Sequence, residues 1–360
     1  MKKICFFSVI TIMLSLLVFG CNKGETEDVI TDIVKKNSSS PANNGANNEG
    51  YGTVVPGTGS SSSSSSSSGA PVPVIVKLVF AGDTVLSGKV SEAVTGVGGG
   101  NYQFPFQYVA DYLKGADLAF VNLESIVTSG GSSNSDSALR ADPAAISGLT
   151  YAGIDVVSVA NDHAFDYGRT GFTSSLQNLT GAGITSIGGG TFDECYTAKI
   201  LTVKGARIAF LAFTNLGNEY NDRAQKNDSS QGLTAQSGIA WFYSKYVGPA
   251  IVSAKNQADI VVVSLHMGKV GSNLPNLYQD KYAHYCVDQG AHLVIGHHSG
   301  MIQPVMAYMK GYIANSLGNL ITDQSSNKGM ILEVVLTDKK ITQVSRKYVQ
   351  MNGSYQAVVQ

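Results

Sequence analysis

Charge is what this chain has least of. Only 14% of its 360 residues are Asp, Glu, Lys or Arg, where an ordinary soluble domain carries about 25%. The net charge is −1, so there is no basic excess to form the electrostatic footprint of a polyanion-binding protein, and no nucleic acid is expected as a partner. Cysteine is scarce as well. Cys195 and Cys286 lie far apart with no metal-type spacing and read as buried thiols in preference to one disulfide. No Gly-x-Ser-x-Gly elbow surrounds the serines of Ser264-Leu265-His266 or Asn315-Ser316-Leu317-Gly318-Asn319, which argues against serine catalysis. The runs Gly98-Gly99-Gly100 and Gly188-Gly189-Gly190 lack a phosphate-loop lysine and a dinucleotide fingerprint, and read as flexible loops.

Ser, Gly, Asn and Thr supply the missing polarity, as is common on exported surfaces. Lys2 and Lys3 precede an apolar stretch from Ile4 to Phe19 that ends in Gly20-Cys21. A positive start, a short apolar run and a small residue before the cut make residues 1–20 an export signal. Val18-Phe19-Gly20-Cys21 resembles a bacterial lipobox, which implies cleavage before Cys21, lipid on its thiol, and an extracytoplasmic lipoprotein of the cell or outer membrane. An uncleaved anchor is the alternative, but the run is short for a span, and no later stretch could cross a bilayer. Residues 21–72, with the unbroken run Ser60–Ser68, cannot bury enough apolar surface to offset their ordering entropy. They read as a flexible tether that leaves residues 73–360 as the folded domain.

Within that domain apolar runs alternate with helical patterns. Strands are expected at 75–81, 118–121, 155–160, 184–187, 207–213, 260–265 and 292–295, and helices at 106–113, 143–152, 170–182, 247–256 and 277–289. The end of the chain is all-β, with strands at 312–314, 330–336 and 341–348. This alternation is the signature of an α/β architecture.

Five of the strands run into polar groups: Gly82-Asp83, Asn122-Leu123-Glu124, Asn161-Asp162-His163, His266, and Gly296-His297-His298. Ligands in open α/β sheets bind where strands end. Taken singly, each group has a plain structural explanation, a turn or a satisfied buried histidine. Together they collect four of the six histidines with Asp83 and Glu124. Imidazole and carboxylate in one set suit Zn²⁺, Mn²⁺ or Fe, and one or two such ions activate water and steady charge on a phosphoryl or acyl centre.

The blocks VFAGDTVLSG (79–88), GADLAFVNLES (115–125), GIDVVSVANDHAFDYGRTG (153–171), VVVSLHMG (261–268), GAHLVIGHH (290–298) and NSLGNLI (315–321) resemble, in order, the CapA-type poly-γ-glutamate capsule synthesis family. Its domain is similar to the calcineurin-like metallophosphoesterases. The resemblance implies a four-layer α/β/β/α sandwich with its site at the strand ends. Carried over residue by residue, Asp83, Glu124, Asn161, His266 and His297 fall at metal-ligand positions and His163 at that of a proton donor. Asp162, His298, Asn122 and Asn319 fall at substrate-contacting or supporting positions. It also implies a role in synthesis, export or anchoring of a capsule or envelope polymer, with the polymer or its precursor and a capsule-synthesis complex as partners.

The chain departs from the family pattern in three places. Asn161-Asp162-His163 stands where Asn-Asn-His is usual, and Lys269-Val270 follows His-x-Gly where an acidic residue is usual. Ser299-Gly300 replaces the Pro-His of Gly-His-His-Pro-His. A non-catalytic polymer-binding or assembly protein with a degenerate site is therefore the alternative to a metal-dependent hydrolase or transferase. The Ser-rich tether alone suggests a third reading, an adhesin-like surface domain.

Overall fold

Apolar side chains at every second position build two sheets that face each other. The structure, a computed structural model, describes residues 72–230, 232–324 and 326–360. Residues 1–71, with the expected export signal, Cys21 and all but the last residue of the expected tether, lie outside the described residues. The strands of the two large sheets are β1 (Ile75–Thr84), β2 (Leu118–Leu123), β3 (Val156–Ser158), β4 (Thr185–Ile187), β5 (Lys199–Val203), β6 (Ala206–Thr214), β7 (Ile260–His266), β8 (Leu293–His297), β9 (Val305–Tyr308), β10 (Gly311–Ala314), β11 (Asn319–Ile321), β12 (Lys328–Thr337), β13 (Lys340–Met351) and β14 (Ala357–Val359). The first sheet has eight strands in the order β14-β13-β12-β1-β2-β3-β4, with β11 beside β1. The second has six, in the order β9-β10-β8-β7-β6-β5. Both centres are parallel: β1 to β4 in the first sheet, and β6, β7, β8 and β10 in the second. Antiparallel strands close the edges.

Each sheet sends one set of alternating residues toward the other. Leu78, Phe80, Leu118, Phe120 and Val156 from the first meet Ile208, Phe210, Ile260, Val262, Leu293 and Ile295 from the second in one buried cluster. Phe120 joins the layers, its ring 6.5 Å from that of Phe210 and 5.8 Å from that of Phe80. A fully buried side chain of this size contributes roughly 1.5–3 kcal/mol through area removed from water.

The outward sets, Val79, Ala119, Val121 and Val157 on one sheet and Ala209, Leu211, Val261 and Val263 on the other, are covered by helices. These are α1 (Gly88–Thr95), α2 (Ala110–Lys114), α3 (Ile146–Tyr151) and α4 (Gly168–Gly181) on the first sheet, and α5 (Ser244–Gln257) and α6 (Leu277–Gln289) on the second. The result is the expected α/β/β/α sandwich. Among the described residues no helix is long and apolar enough to cross a membrane.

Some expectations need correction. The helix expected over 106–113 is split into a 3₁₀ turn, Phe104–Phe106, and α2. Pro105 sits at the start of that turn and has no N–H to extend it backwards. Gly188-Gly189-Gly190 is not a flexible loop. Gly189–Gly190 pairs with Gly238–Ile239, and a Cβ at Gly188 would lie 2.6 Å from the Cβ of Ala160. The first strand does not stop at Ala81 but continues to Thr84 through a register shift between Phe80 and Asp83.

Cys195 and Cys286 are free and buried, and burial pushes both thiols well above the ordinary range. Reactive thiolate is therefore withheld in the native state. Peptide mapping after alkylation at pH 8 is expected to find neither cysteine labelled until denaturant is added; labelling of either in the native protein contradicts this packing.

Candidate metal centre

The polar cluster grows out of the same alternation that makes the core. Leu118 and Phe120 point between the sheets, and the next residue in phase on β2 is Asn122. Ile260, Val262 and Ser264 lead in the same way to His266 on β7, and Leu293 and Ile295 to His297 on β8. On β1 the phase after Phe80 would bring Gly82 inward, but the bulge there shifts the register and re-aims Asp83. Asp83 is in register with Asn122 on one side and Asn319 on the other, and His266 with His297. The carboxyl ends of both sheets thus deliver side chains to one place.

Asn122 ties the two sheets together. Its Nδ2 donates to Asp83 Oδ1 at 2.8 Å and to His266 Nδ1 at 3.1 Å. That makes Nδ1 of His266 the acceptor and puts the ring proton on Nε2. Nε2 lies 2.8 Å from Asp162 Oδ1, 3.2 Å from His298 Nδ1 and 3.9 Å from Glu124 Oε1. Burial holds the His266 imidazole below its ordinary pKa, against the pull of Asp162. Burial works in the opposite direction on Asp162, but the hydrogen bonds and charges of His266 and His298 outweigh it and hold that carboxyl far below the usual range. The pair is a carboxylate accepting from a neutral imidazole.

Asp83 is buried, and burial alone would raise its pKa. Contact with His297, then the charge of His266 and the Asn122 hydrogen bond, more than offset this, and its pKa is lowered. His297 Nδ1 is 3.2 Å from Asp83 Oδ1 but off the axis of a hydrogen bond. Both ring nitrogens of His297 and Oδ1 of Asn122 are buried without a hydrogen-bond partner among the described residues. Glu124 is buried beside Asp83, Asp162 and Asp166; burial and then those charges push its carboxyl well above the ordinary range.

Two sets of groups have ligand atoms within 4.8 Å of one another, and both contain His266: Asp83, Glu124 and His266, and Asp162, His266 and His298. Crowded carboxylates, imidazoles and orphaned buried ring nitrogens are the donor set that a divalent cation satisfies and that protein alone does not. The residues present fit a metal.

His298 enters the cluster by an unusual backbone route. Its φ is 86°, a left-handed conformation that few non-glycine residues adopt. Its N–H donates to Asp83 Oδ2 at 3.1 Å, and its ring sits 4.9 Å from that of His266.

Asn161 is held locally: Nδ2 donates to the Leu123 carbonyl at 2.8 Å, and Oδ1 accepts the His163 N–H at 3.2 Å. Asn319 donates to the Gly300 and Ser326 carbonyls at 3.2 and 2.8 Å, so it braces backbone next to the cluster. His163 Nδ1 is 2.8 Å from Asp166 Oδ2. Burial lowers the pKa of His163, but Asp166, Asp162 and Asp83 together raise it above the ordinary value.

Asp166 is a residue that strand-end reasoning missed. It also accepts the Leu139 N–H at 2.7 Å, and so fixes the ring of His163 to the scaffold. A carboxylate three positions after a site histidine was the available signal.

The departures from the expected pattern are equally local. Val270 is 62% exposed, so its side chain faces solvent. Ser299 is buried, its hydroxyl donating to the Met301 carbonyl at 2.9 Å. Gly300 has φ 64°, a conformation in which a histidine would be strained.

The family profile described as "Bacterial capsule synthesis protein PGA_cap" matches residues 77–324. The chain is 28% identical over 253 residues to "Capsule biosynthesis protein CapA" of Bacillus anthracis, covering 69% of this chain and 60% of that protein. It is 30% identical over 255 residues to "PGA biosynthesis protein CapA" of Bacillus subtilis, covering 69% of this chain and 64% of that protein. The chain therefore spans less than two thirds of the length of these relatives. Among solved structures, a novel phosphatase of Mycoplasma pneumoniae aligns with a TM-score of 0.45 at 12% identity, over 78% of this chain and 95% of that one.

Proposed function

The chain belongs to the bacterial capsule synthesis protein PGA_cap family, and from that premise we propose that it acts on an envelope polymer of the poly-γ-glutamate type, in synthesis, export or anchoring, by metal-assisted hydrolysis or transfer. The lipobox-like Cys21 and the tether place it, in this reading, on the outer side of a membrane, facing the polymer and its assembly partners. The observation that carries the catalytic part is the pair of ligand sets sharing His266 at the ends of two sheets.

Asp83, Glu124, Asp162, His266 and His298 would hold one or two divalent ions, with His297 alongside. A bound ion supplies Lewis acidity toward a phosphoryl or acyl centre. His163 is the proton donor to the leaving group. Asp166 occupies its Nδ1 and fixes the ring, which leaves Nε2 as the atom that carries and delivers the proton. The buried side chains around the cluster limit water at that point.

The test is turnover by the full chain loaded with Mn²⁺ or Zn²⁺, on a γ-linked oligoglutamate and on an aryl phosphate. Metal-dependent turnover is expected, with His163→Ala slowing kcat by about 100-fold or more while metal content stays unchanged. Absence of turnover on both substrates by the metal-loaded protein sinks the catalytic reading.

A second reading, a binding or assembly protein with a degenerate site, is favoured by the outward side chain of Val270 and the turn geometry of Ser299-Gly300. Val270→Glu tests this, because it restores the missing carboxylate at an exposed position that accepts it without disturbing the core. Restoring histidine at position 300 is the poorer choice on account of its backbone. Activity that arises only in Val270→Glu favours the degenerate site.

A further inference from the structure

We propose that the cavity beside the metal cluster is a carboxylate-binding subsite in which Arg169 recognises the anion. The cavity has a volume of about 840 Å³, and Asn134, Phe165, Arg169, Asn218, Asn221 and Asp222 are among the residues that line it. It is joined to the cluster by the chain itself. Asn134 Nδ2 donates to the carbonyl of Phe165 at 2.8 Å, within the same turn that carries His163 and Asp166. Next to Asn218 of the opposite wall, a Cβ at Gly217 would lie 3.7 Å from the Cα of Asp162.

Arg169 is built as a half-used fork. Its guanidinium lies over the Phe165 ring, 5.0 Å from the centroid, and Nη2 donates to the carbonyl of Asn221. Nη1 is buried and has no hydrogen-bond partner among the described residues. Stacking and one hydrogen bond fix the plane of the group, so a second acceptor is met without further loss of side-chain freedom. A planar guanidinium with an unpaired, buried nitrogen matches a carboxylate, which supplies two coplanar oxygens. The acid in the same wall acts on Arg169 through its charge but does not fill this role: Asp222 Oδ2 accepts the Asn218 N–H at 2.8 Å, and no close ion pair joins it to Arg169 among the described residues. The remaining lining is rich in amides, which suits an amide-linked chain that bears carboxylates.

As to substrate, this inference rests on the polymer reading above, but binding can be measured without turnover. The full chain, treated with EDTA, is titrated calorimetrically with γ-linked triglutamate, with the matching triglutamine, and with inorganic phosphate. Triglutamate is expected to bind, and triglutamine to bind on the order of tenfold more weakly. Arg169→Gln is expected to weaken triglutamate by a similar factor, and Arg169→Lys, which keeps the charge without the fork, to fall between. Thermal unfolding of both variants, with the lysine protein as the conservative control, separates lost recognition from lost fold.

Triglutamate binding that is undetectable, unchanged in Arg169→Gln, or matched by triglutamine overturns the subsite. Phosphate that binds more tightly than triglutamate, with the same dependence on Arg169, overturns the carboxylate assignment. Failure of metal-dependent turnover with Arg169-dependent binding intact removes the catalytic reading and leaves the subsite standing.

Discussion

Alanine at position 266 is expected to abolish divalent-metal binding by the whole cluster, lowering affinity by more than about 100-fold, whereas Glu124→Gln weakens it and spares the fold. The reason is topological. His266 is common to both ligand sets, so its loss leaves each with two groups. Loss of even a supporting contact to a metal ligand typically costs 10–100-fold, and removal of the shared ligand exceeds that. The metal-free protein suffers too. Asn122 Nδ2 and Asp162 Oδ1 each lose a short contact to the ring, and an unsatisfied polar group in a buried place costs about 1–3 kcal/mol. Glu124→Gln keeps the shape of the side chain and resembles the uncharged carboxyl that burial and the charges of Asp83, Asp162 and Asp166 favour, so the metal-free fold should be retained. Metal titration followed by calorimetry, with melting curves in EDTA, reads both effects. Full metal affinity in His266→Ala would remove the centre from this position.

Much of this arrangement was legible in the sequence, for reasons that can be named. The helix Leu277–Gln289 was placed to the residue, and the structure shows sharp ends: Asn276 caps it with Gln279 in a reciprocal box, and Gly290 ends it with φ 117°. The strand-end histidines were legible because fully buried parallel strands write continuous apolar runs, and the first polar residue after such a run marks its end. Edge strands were not. Lys199–Val203 is half-exposed and mixed in composition, and pairs only at the border of its sheet, so it writes neither period clearly. The β1 bulge was invisible for a different reason. Gly82-Asp83 reads as a turn locally, and only the pairing with β2 and with Asn319 makes it strand. Asp166 and Arg169 escaped because their partners, His163 on one side and the far wall of a cavity on the other, are matters of folding in three dimensions. His298 was read as a supporting residue; its positive φ, which turns the chain so that its ring lies beside His266, could not be read from a His-His pair.

Gly82→Ala and Gly296→Ala are expected to be among the most damaging single-methyl changes in the chain, although neither glycine touches a ligand atom. A Cβ at Gly82 would lie 1.9 Å from the carbonyl oxygen of Gly318, and one at Gly296 would lie 1.9 Å from that of Asn315. Both obstacles are backbone, which cannot swing aside as a side chain does. They also belong to one segment. Residues 315–319 cross the carboxyl ends of both sheets, accepting the Asp83 N–H on the Gly318 carbonyl at 2.9 Å and donating the Leu317 N–H to the Gly296 carbonyl at 3.1 Å. A methyl at either glycine separates that segment from the strand carrying Asp83 or His297, so stability and metal affinity fall together. Overpacking a rigid site costs about 1–3 kcal/mol and more where backbone must move; a loss above about 3 kcal/mol in urea unfolding is expected for each. Gly99→Ala is the control, since nothing lies within 4 Å of its Cβ and its φ is 60°; it should cost about 1 kcal/mol, the penalty of a left-handed backbone alone. Equal stability of Gly82→Ala and Gly99→Ala would mean that the crossing segment is not a clamp. The glycines of Gly-Asp and Gly-His-His, which look like spacers of a metal motif, would then need another explanation than the close approach of two backbones.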